Sequence, residues 1–203
     1  GDMEQSNKEH MALTIGSEMI RLANPLPCAI LLLLTGCGLS PPSHIKLDGG
    51  SALPTGDECR DGYQLKEAYA TSLKLPVGGG VDAKLSYAVM CGKKAGDRFV
   101  KNGLYVGWGN RGHLIARGQF RRDRPSGKWT LNYPNGKLRA SATLEGKKVS
   151  ELGEYFDENG NVDPKPSFAD AETIGTAAAF ANFLKRFPGA PQSQLAKQRR
   201  SAA

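Results

Sequence analysis

The residues able to do covalent or acid–base chemistry are few. The chain has 203 residues with three histidines (His10, His44, His113) and four cysteines (Cys28, Cys37, Cys59, Cys91). No Gly-x-Ser-x-Gly, His-Glu-x-x-His or Cys-x-x-Cys occurs, so the usual spacings of a serine nucleophile, a zinc protease or a dithiol are missing. Glu145, Glu151, Glu154, Asp157 and Glu158 gather late in the chain. They fall on turn-like segments with no apolar pocket implied that would tune one of them for proton transfer. The glycines after Pro76-Val77 lack the Lys-Ser/Thr of a phosphate loop. Residues 157–163 alternate oxygen side chains as a calcium loop does. However, Val162 stands where that loop needs glycine, and Phe168 where it needs a bidentate Glu. The sequence is therefore expected to be a non-enzyme, without metal or cofactor. Its densest reactive feature is cationic: Arg121, Arg122 and Arg124, with Arg117, Lys128 and Arg139 nearby. Such a cluster suits an anion or phosphate contact, although charges beside a turn also guard a sheet against aggregation.

The cysteines sort by their surroundings. Met19-Ile20-Arg21 forms a short positive segment. Residues 27–34 form an apolar run too short to span a bilayer and matching a signal-peptide core. Leu34-Thr35-Gly36-Cys37 follows at once and resembles the bacterial lipobox. That resemblance implies cleavage before Cys37 and a covalent lipid on its thiol. With Gly38 rather than Asp next, it implies the outer membrane of a Gram-negative envelope. Residues 1–18 then read as an unstructured extension or a mis-assigned start, 19–36 as the lipoprotein signal peptide, and 37–56 as a flexible Pro/Gly/Ser tether. Cys59 and Cys91 remain, an even pair in an exported domain, for which a disulfide is the default expectation. Two isolated cysteines are too few for a closed zinc site. Residues 1–36 hold two of the 27 basic and four of the 20 acidic groups, leaving 25 and 16, a net charge of +9. A tethered domain so charged stays soluble and could lie against anionic lipid or envelope polymers. No nucleic-acid partner is expected.

The elements that must carry these groups show themselves in residues 98–163. Shifted by 24 residues, this stretch overlies itself: Gly103 on Gly127, Gly112 on Gly136, Gly136 on Gly160, Tyr105 on Trp129, Leu114 on Leu138. A fixed period marks a repeat architecture. In the clearest unit, Trp129, Leu131 and Tyr133 alternate with polar residues, as in a strand. Asn135-Gly136 follows, a strong hairpin signal. Leu138, Ala140, Ala142 and Leu144 then alternate again. A two-residue turn would set Tyr133 opposite Leu138, Leu131 opposite Ala140 and Trp129 opposite Ala142, with Tyr105 facing Gly118 in the preceding unit. Further turns are expected at Asn102-Gly103, Pro125-Ser126-Gly127 and Glu145-Gly146. Asn159-Gly160 would turn a third, degenerate unit that lacks an aromatic at Gly153. The fold class expected is mainly β: a single-layer antiparallel meander of repeated hairpins with one C-terminal helix.

Gly103-x-Tyr105…Gly112 and Gly127-Lys128-Trp129…Tyr133-Pro134-Asn135-Gly136-Lys137-Leu138 resemble the MORN-type repeats of bacterial proteins, in the variant associated with toxin–antitoxin antitoxin components. The resemblance implies an elongated sheet of stacked hairpins used for binding, in an exported lipoprotein with a Cys pair ahead of the repeats.

Around the repeats, residues 57–97 read as an N-terminal segment capping the first sheet edge, with Leu85, Tyr87, Val89 and Cys91 alternating as a strand. A Cys59–Cys91 bond would stabilise it by about 3–4 kcal/mol through loop-closure entropy. Residues 167–187 read as the one helix, opened by a capping signal at Ser167 and ended by Pro188-Gly189. Residues 188–203 read as a disordered basic tail. Tyr105, Trp108, Trp129, Tyr133 and Tyr155 suit either a contact surface or the sheet's own cross-strand packing. Three functions are compatible with these residues: an envelope scaffold binding an unidentified protein, a binder of anionic polymer or lipid headgroups through the basic face, and antitoxin-like neutralisation of a protein partner.

Overall fold

A computed structural model describes residues 53–60 and 62–203. Cys37, the segment expected to be a signal peptide and most of the expected tether lie outside the described residues. The described chain is mainly β: one eight-stranded antiparallel sheet in sequence order, then three helices. The strands are β1 (Gln64–Leu75), β2 (Val81–Ala95), β3 (Arg98–Trp108), β4 (Leu114–Arg121), β5 (Arg124–Asn132), β6 (Leu138–Glu145), β7 (Lys148–Val149) and β8 (Glu154–Tyr155), the last two both pairing with β6. The helices are α1 (Pro164–Ile174), α2 (Ala177–Arg186) and α3 (Ser193–Ala202).

The 24-residue period survives as three loops with one hydrogen-bond scheme. The Gly112 N–H donates to Gly109 O, Gly136 to Tyr133 O and Gly160 to Asp157 O, at 3.0, 2.9 and 3.0 Å. A second bond closes each loop: Gly109 to His113 O, Tyr133 to Lys137 O, Asp157 to Asn161 O. The closing glycines have φ of +80°, +83° and +93°, a region that penalises any side chain. Each is thus a three-residue loop with a glycine bulge, where Asn135-Gly136 suggested a two-residue turn. The pairing beside the loop adjusts accordingly, and Asn132 rather than Tyr133 faces Leu138. Leu131–Ala140, Trp129–Ala142 and Tyr105–Gly118 pair as expected. The third unit pairs through β8 and a single bridge, Phe156–Val162.

The opposite turns differ from expectation. Asn102-Gly103 lies inside β3, and Pro125-Ser126-Gly127 inside β5. The connections are instead Gly96-Asp97, Arg122-Asp123 and Gly146-Lys147, between paired Ala95–Arg98, Arg121–Arg124 and Glu145–Lys148. Gly103 and Gly127 mark bulges, where the register shifts between Met90 and Gly92 and between Arg117 and Gln119. A glycine with positive φ signals a bulge as readily as a turn, so the repeated Gly misled the placement.

The segment 57–97 is more than a cap, because β1 and β2 are the longest strands. Leu73, Leu75 and Val77, from the far end of their hairpin, share one core with Trp129, Leu131, Leu144 and Tyr155. The sheet is continuous, as expected of a single layer, yet one face packs against itself. At its centre the Tyr105, Phe120 and Trp129 rings lie 5.3–5.9 Å apart, two of the three pairs edge to face. The other face buries Tyr87, Val89, Val106 and Trp108 with help from Leu53 and Leu65.

The single expected helix is two. Gly175 adopts φ +71° and ends α1, and the Thr176 side chain accepts the Ala179 N–H to open α2. The start is Asp163, which accepts the Lys165 N–H ahead of Pro164, not Ser167. The tail expected to be disordered forms α3, with Ala196 buried in the helical core alongside Phe168, Phe180 and Phe183.

Candidate anion-binding cleft

The Arg122-Asp123 turn has φ of +51° and +63° without a glycine. Side-chain bonds offset that backbone cost. Asp123 accepts the Lys101 N–H at 2.8 Å and the Arg98 guanidinium at 2.6 Å, and Asn102 Oδ1 accepts the Arg122 N–H at 3.1 Å. The turn is thereby stitched to the β3 bulge. The bulge rests on the disulfide: a Cβ on Gly103 would lie 3.0 Å from Cys91 Cβ and 3.7 Å from its Sγ. Cys91 is bonded to Cys59, with Cα atoms 5.5 Å apart, and Arg60 follows directly in the chain.

These parts surround one cavity of about 530 Å³, lined by Arg60, Tyr63, Asn102, Gln119, Arg121 and Arg122 among others. Two lysines lie over rings that line it. Lys93 Nζ stands 5.6 Å from the Tyr63 ring centre, and Lys101 Nζ 4.7 Å from that of Phe120, another lining residue. Arg60, Arg121 and Arg122 are exposed. Among the described residues, none of these three guanidiniums is in an ion pair, while Arg98 is occupied by Asp123. Three arginines thus line one polar hollow, and the Asp123 carboxylate next to Arg122 is already engaged. That arrangement raises local anion concentration and offers forked donors to phosphate or carboxylate.

The remaining expected site residues go elsewhere. Tyr105, Trp108, Trp129 and Tyr155 are buried, each at most 3% exposed, so they form core and not a contact surface. Burial alone pushes the Tyr105 phenol up to about 12. Tyr133 is half-buried, and its hydroxyl donates to Phe156 O at 2.9 Å. Asn135 and Asn159 hold loops: Asn135 accepts the Lys137 N–H and donates to Glu158 O, while Asn159 O accepts from Lys137 Nζ. Gly112, Gly136 and Gly160 close their loops, and Gly103 and Gly127 mark bulges. Arg124 opens β5 and borders a separate hollow with Thr143 and Glu145 that Arg121 also borders. Cys59 and Cys91 pair as expected.

The Asp157 carboxylate is spent on its own loop, accepting from the Asn159 and Asn161 N–H groups and from Asn161 Nδ2. Among the described residues, no group of three or more His, Cys, Asp or Glu is placed to hold a metal ion. A larger cavity of about 950 Å³, between the β1 bend and the loops at Gly109 and Pro134, has Lys84 as its one charged lining residue. Comparison with known families, with curated proteins and with solved structures finds no match to this chain.

The sequence reading missed Arg60, Tyr63, Asn102 and Gln119. Of these Arg60 carried a signal in its place beside Cys59, and Asn102 was marked only as part of an expected turn. It also missed Asp170, which is fully buried and accepts the Gly78 N–H, the Gly153 N–H and the Tyr155 hydroxyl at 2.8, 3.0 and 2.5 Å. Burial drives its carboxyl up, opposed by those donors, and burial with Asp170 drives the Tyr155 phenol far up. Asp170 makes a tie between elements rather than an open site.

Proposed function

We propose that this chain is a non-catalytic lipoprotein of the bacterial envelope that binds anionic polymer or lipid headgroups through its basic face. One observation carries the choice: the exposed Arg60, Arg121 and Arg122 share a polar hollow, while four of the five aromatic residues that would serve a protein partner, Tyr105, Trp108, Trp129 and Tyr155, are core. The anchor rests on the Leu34–Cys37 motif and places such a face near anionic surfaces. The MORN-type likeness agrees with binding as the role, without carrying the choice of partner.

The test compares the full chain with Cys37→Ser in a Gram-negative host, by fractionation and intact mass. Lipid on the wild type and its recovery in the outer membrane, with neither in the variant, supports the anchor. A soluble, unprocessed wild type sinks it. Binding to anionic vesicles should then weaken steeply with added salt, since screening acts on exposed charges. Binding indifferent to salt would return a protein partner, scaffolding or antitoxin-like, to first place.

A further inference from the structure

The cleft is assembled from three distant parts of the chain, and each is held by a different device. Residues 119–126 bring Arg121 and Arg122 on a turn whose positive φ is held by Asp123 and Asn102. The β3 bulge brings Asn102 and the backbone at Gly103. Arg60 and Tyr63 belong to neither strand. They precede β1, in a short segment whose described backbone bonds are local: Glu58 to Thr55 O, Cys59 to Gly56 O, Tyr63 to Arg60 O. The covalent hold on this segment is the bond from Cys59 to Cys91, in the strand beside the bulge.

This is not how a solvated basic turn is built. A turn needs its charges only to be wet. Here Arg98 and the Lys101 N–H engage Asp123, so that carboxylate is not left to pair with the cleft arginines, and Asn102 fixes the backbone beneath Arg122, while two lysine heads stand over the rings of Tyr63 and Phe120. Planar guanidiniums lining one hollow from two separate segments of chain suit a tetrahedral oxyanion, because each fork can take two oxygens. A cavity of about 530 Å³ admits a phosphate group with a small substituent. A lone carboxylate would leave most of these donors unused.

We propose that the Arg60–Arg121–Arg122 cleft is a binding site for a phosphate group, and that the Cys59–Cys91 disulfide completes it by placing Arg60. The proposal rests on the anionic-ligand reading above and deepens it. The phosphate could be carried by a lipid headgroup or by a soluble or polymer-borne ester, and the two sources are separable by experiment.

Binding is measured with the full chain carrying Cys37→Ser, so that no lipid anchor contributes. One arm titrates inorganic phosphate at low ionic strength by calorimetry. The other sediments the protein with phosphatidylglycerol vesicles, against phosphatidylcholine as blank. Arg60→Ala and Arg121→Ala/Arg122→Ala are compared with Lys197→Ala/Arg200→Ala, which removes exposed charge from α3. Each cleft variant should weaken phosphate binding about tenfold or more, the scale of a lost charge-assisted bond, with the α3 variant near wild type. Parallel loss on vesicles assigns the site to a headgroup. Loss of phosphate alone assigns it to a soluble or polymer-borne ester. Cys59→Ser/Cys91→Ser should fall as far as Arg60→Ala. Full affinity in that double variant overturns the role of the disulfide, and because it can also lose affinity by unfolding, Arg60→Ala is the deciding arm. If cleft and α3 variants behave alike while wild type still binds anionic vesicles, the site is wrong and the general basic-face function stands. If wild type binds neither probe, the function itself falls.

Discussion

Among the differences between the second and third repeats, one position bears on where the sheet stops. In the second, Trp129 stands over Gly118 so closely that a Cβ there would come within 2.1 Å of Trp129 Cδ2. One period on, the aromatic is Gly153, and the ring of Tyr155 folds back into the room it leaves. A Cβ on Gly153 would lie 2.7–2.8 Å from Tyr155 Oη, Cζ and Cε2. The displaced ring carries a hydroxyl to Asp170, and Gly153 offers that carboxylate its N–H and takes the Ser167 hydroxyl on its carbonyl. Gly78, at the tip of the β1–β2 hairpin, donates to the same Asp170. The interior repeat therefore packs its aromatic over the preceding strand, whereas the terminal repeat directs Tyr155 to a helix. Replacing one ring by glycine converts a stacking unit into a docking unit, a device suited to the last member of a repeat.

Changes that touch both units test this contrast. Trp129→Ala should be the most damaging, about 3–5 kcal/mol of stability in urea unfolding, because it empties the centre of the core. A loss below about 1 kcal/mol would show that the repeat core closes without its ring. Asp170→Ala comes next, at about 2–4 kcal/mol, since it strands the Gly78, Gly153 and Tyr155 donors in a buried place. Amide exchange should show α1 opening ahead of β3–β5 in that variant, and uniform loss would contradict a docking role. Gly153→Ala should cost about 1–3 kcal/mol by pushing the Tyr155 ring off its seat. Its amide spectrum should change in α1, and silence there would break the link between the missing ring and the helix.

The smallest effects are in pH, and the third repeat and the helix docked on it supply two of opposite sign. Burial raises Asp170 above its ordinary 3.8, so its contribution to stability is complete below that value and is lost as pH rises through the folded value. Asp157 is lowered, first by Asn161, so its contribution is present above 3.8 and is lost as pH falls through its lower folded value. Unfolding midpoints across the acid range should lose the first slope in Asp170→Asn and the second in Asp157→Asn. A single slope surviving both variants would place it elsewhere.

Much of the sheet was legible in the sequence, because strand alternation and loop chemistry are local. Trp129, Leu131, Ala140 and Ala142 declare their pairing through period-two hydrophobicity, and the glycines at 112, 136 and 160 declare their loops. The repeat also marked Gly103 and Gly127 as special without saying whether they turn the chain or bulge a strand, since both demand the same φ. The cleft was half legible. Arg121 and Arg122 stand together in the sequence, but Arg60 joins them only through a covalent bond and a fold.

What the sequence by itself determined is the class of element, the period, and which cysteines would pair, all consequences of side-chain alternation and short-range backbone chemistry. What only the tertiary structure decided is which face each aromatic serves, since burial depends on the β1–β2 hairpin lying over the repeats. The placing of Arg60, and the tie of Asp170 to three segments, likewise needed the fold. Hydrogen bonds and core contacts between residues far apart in the chain leave no periodic trace, because each partner's neighbours look ordinary until the fold brings the pair together.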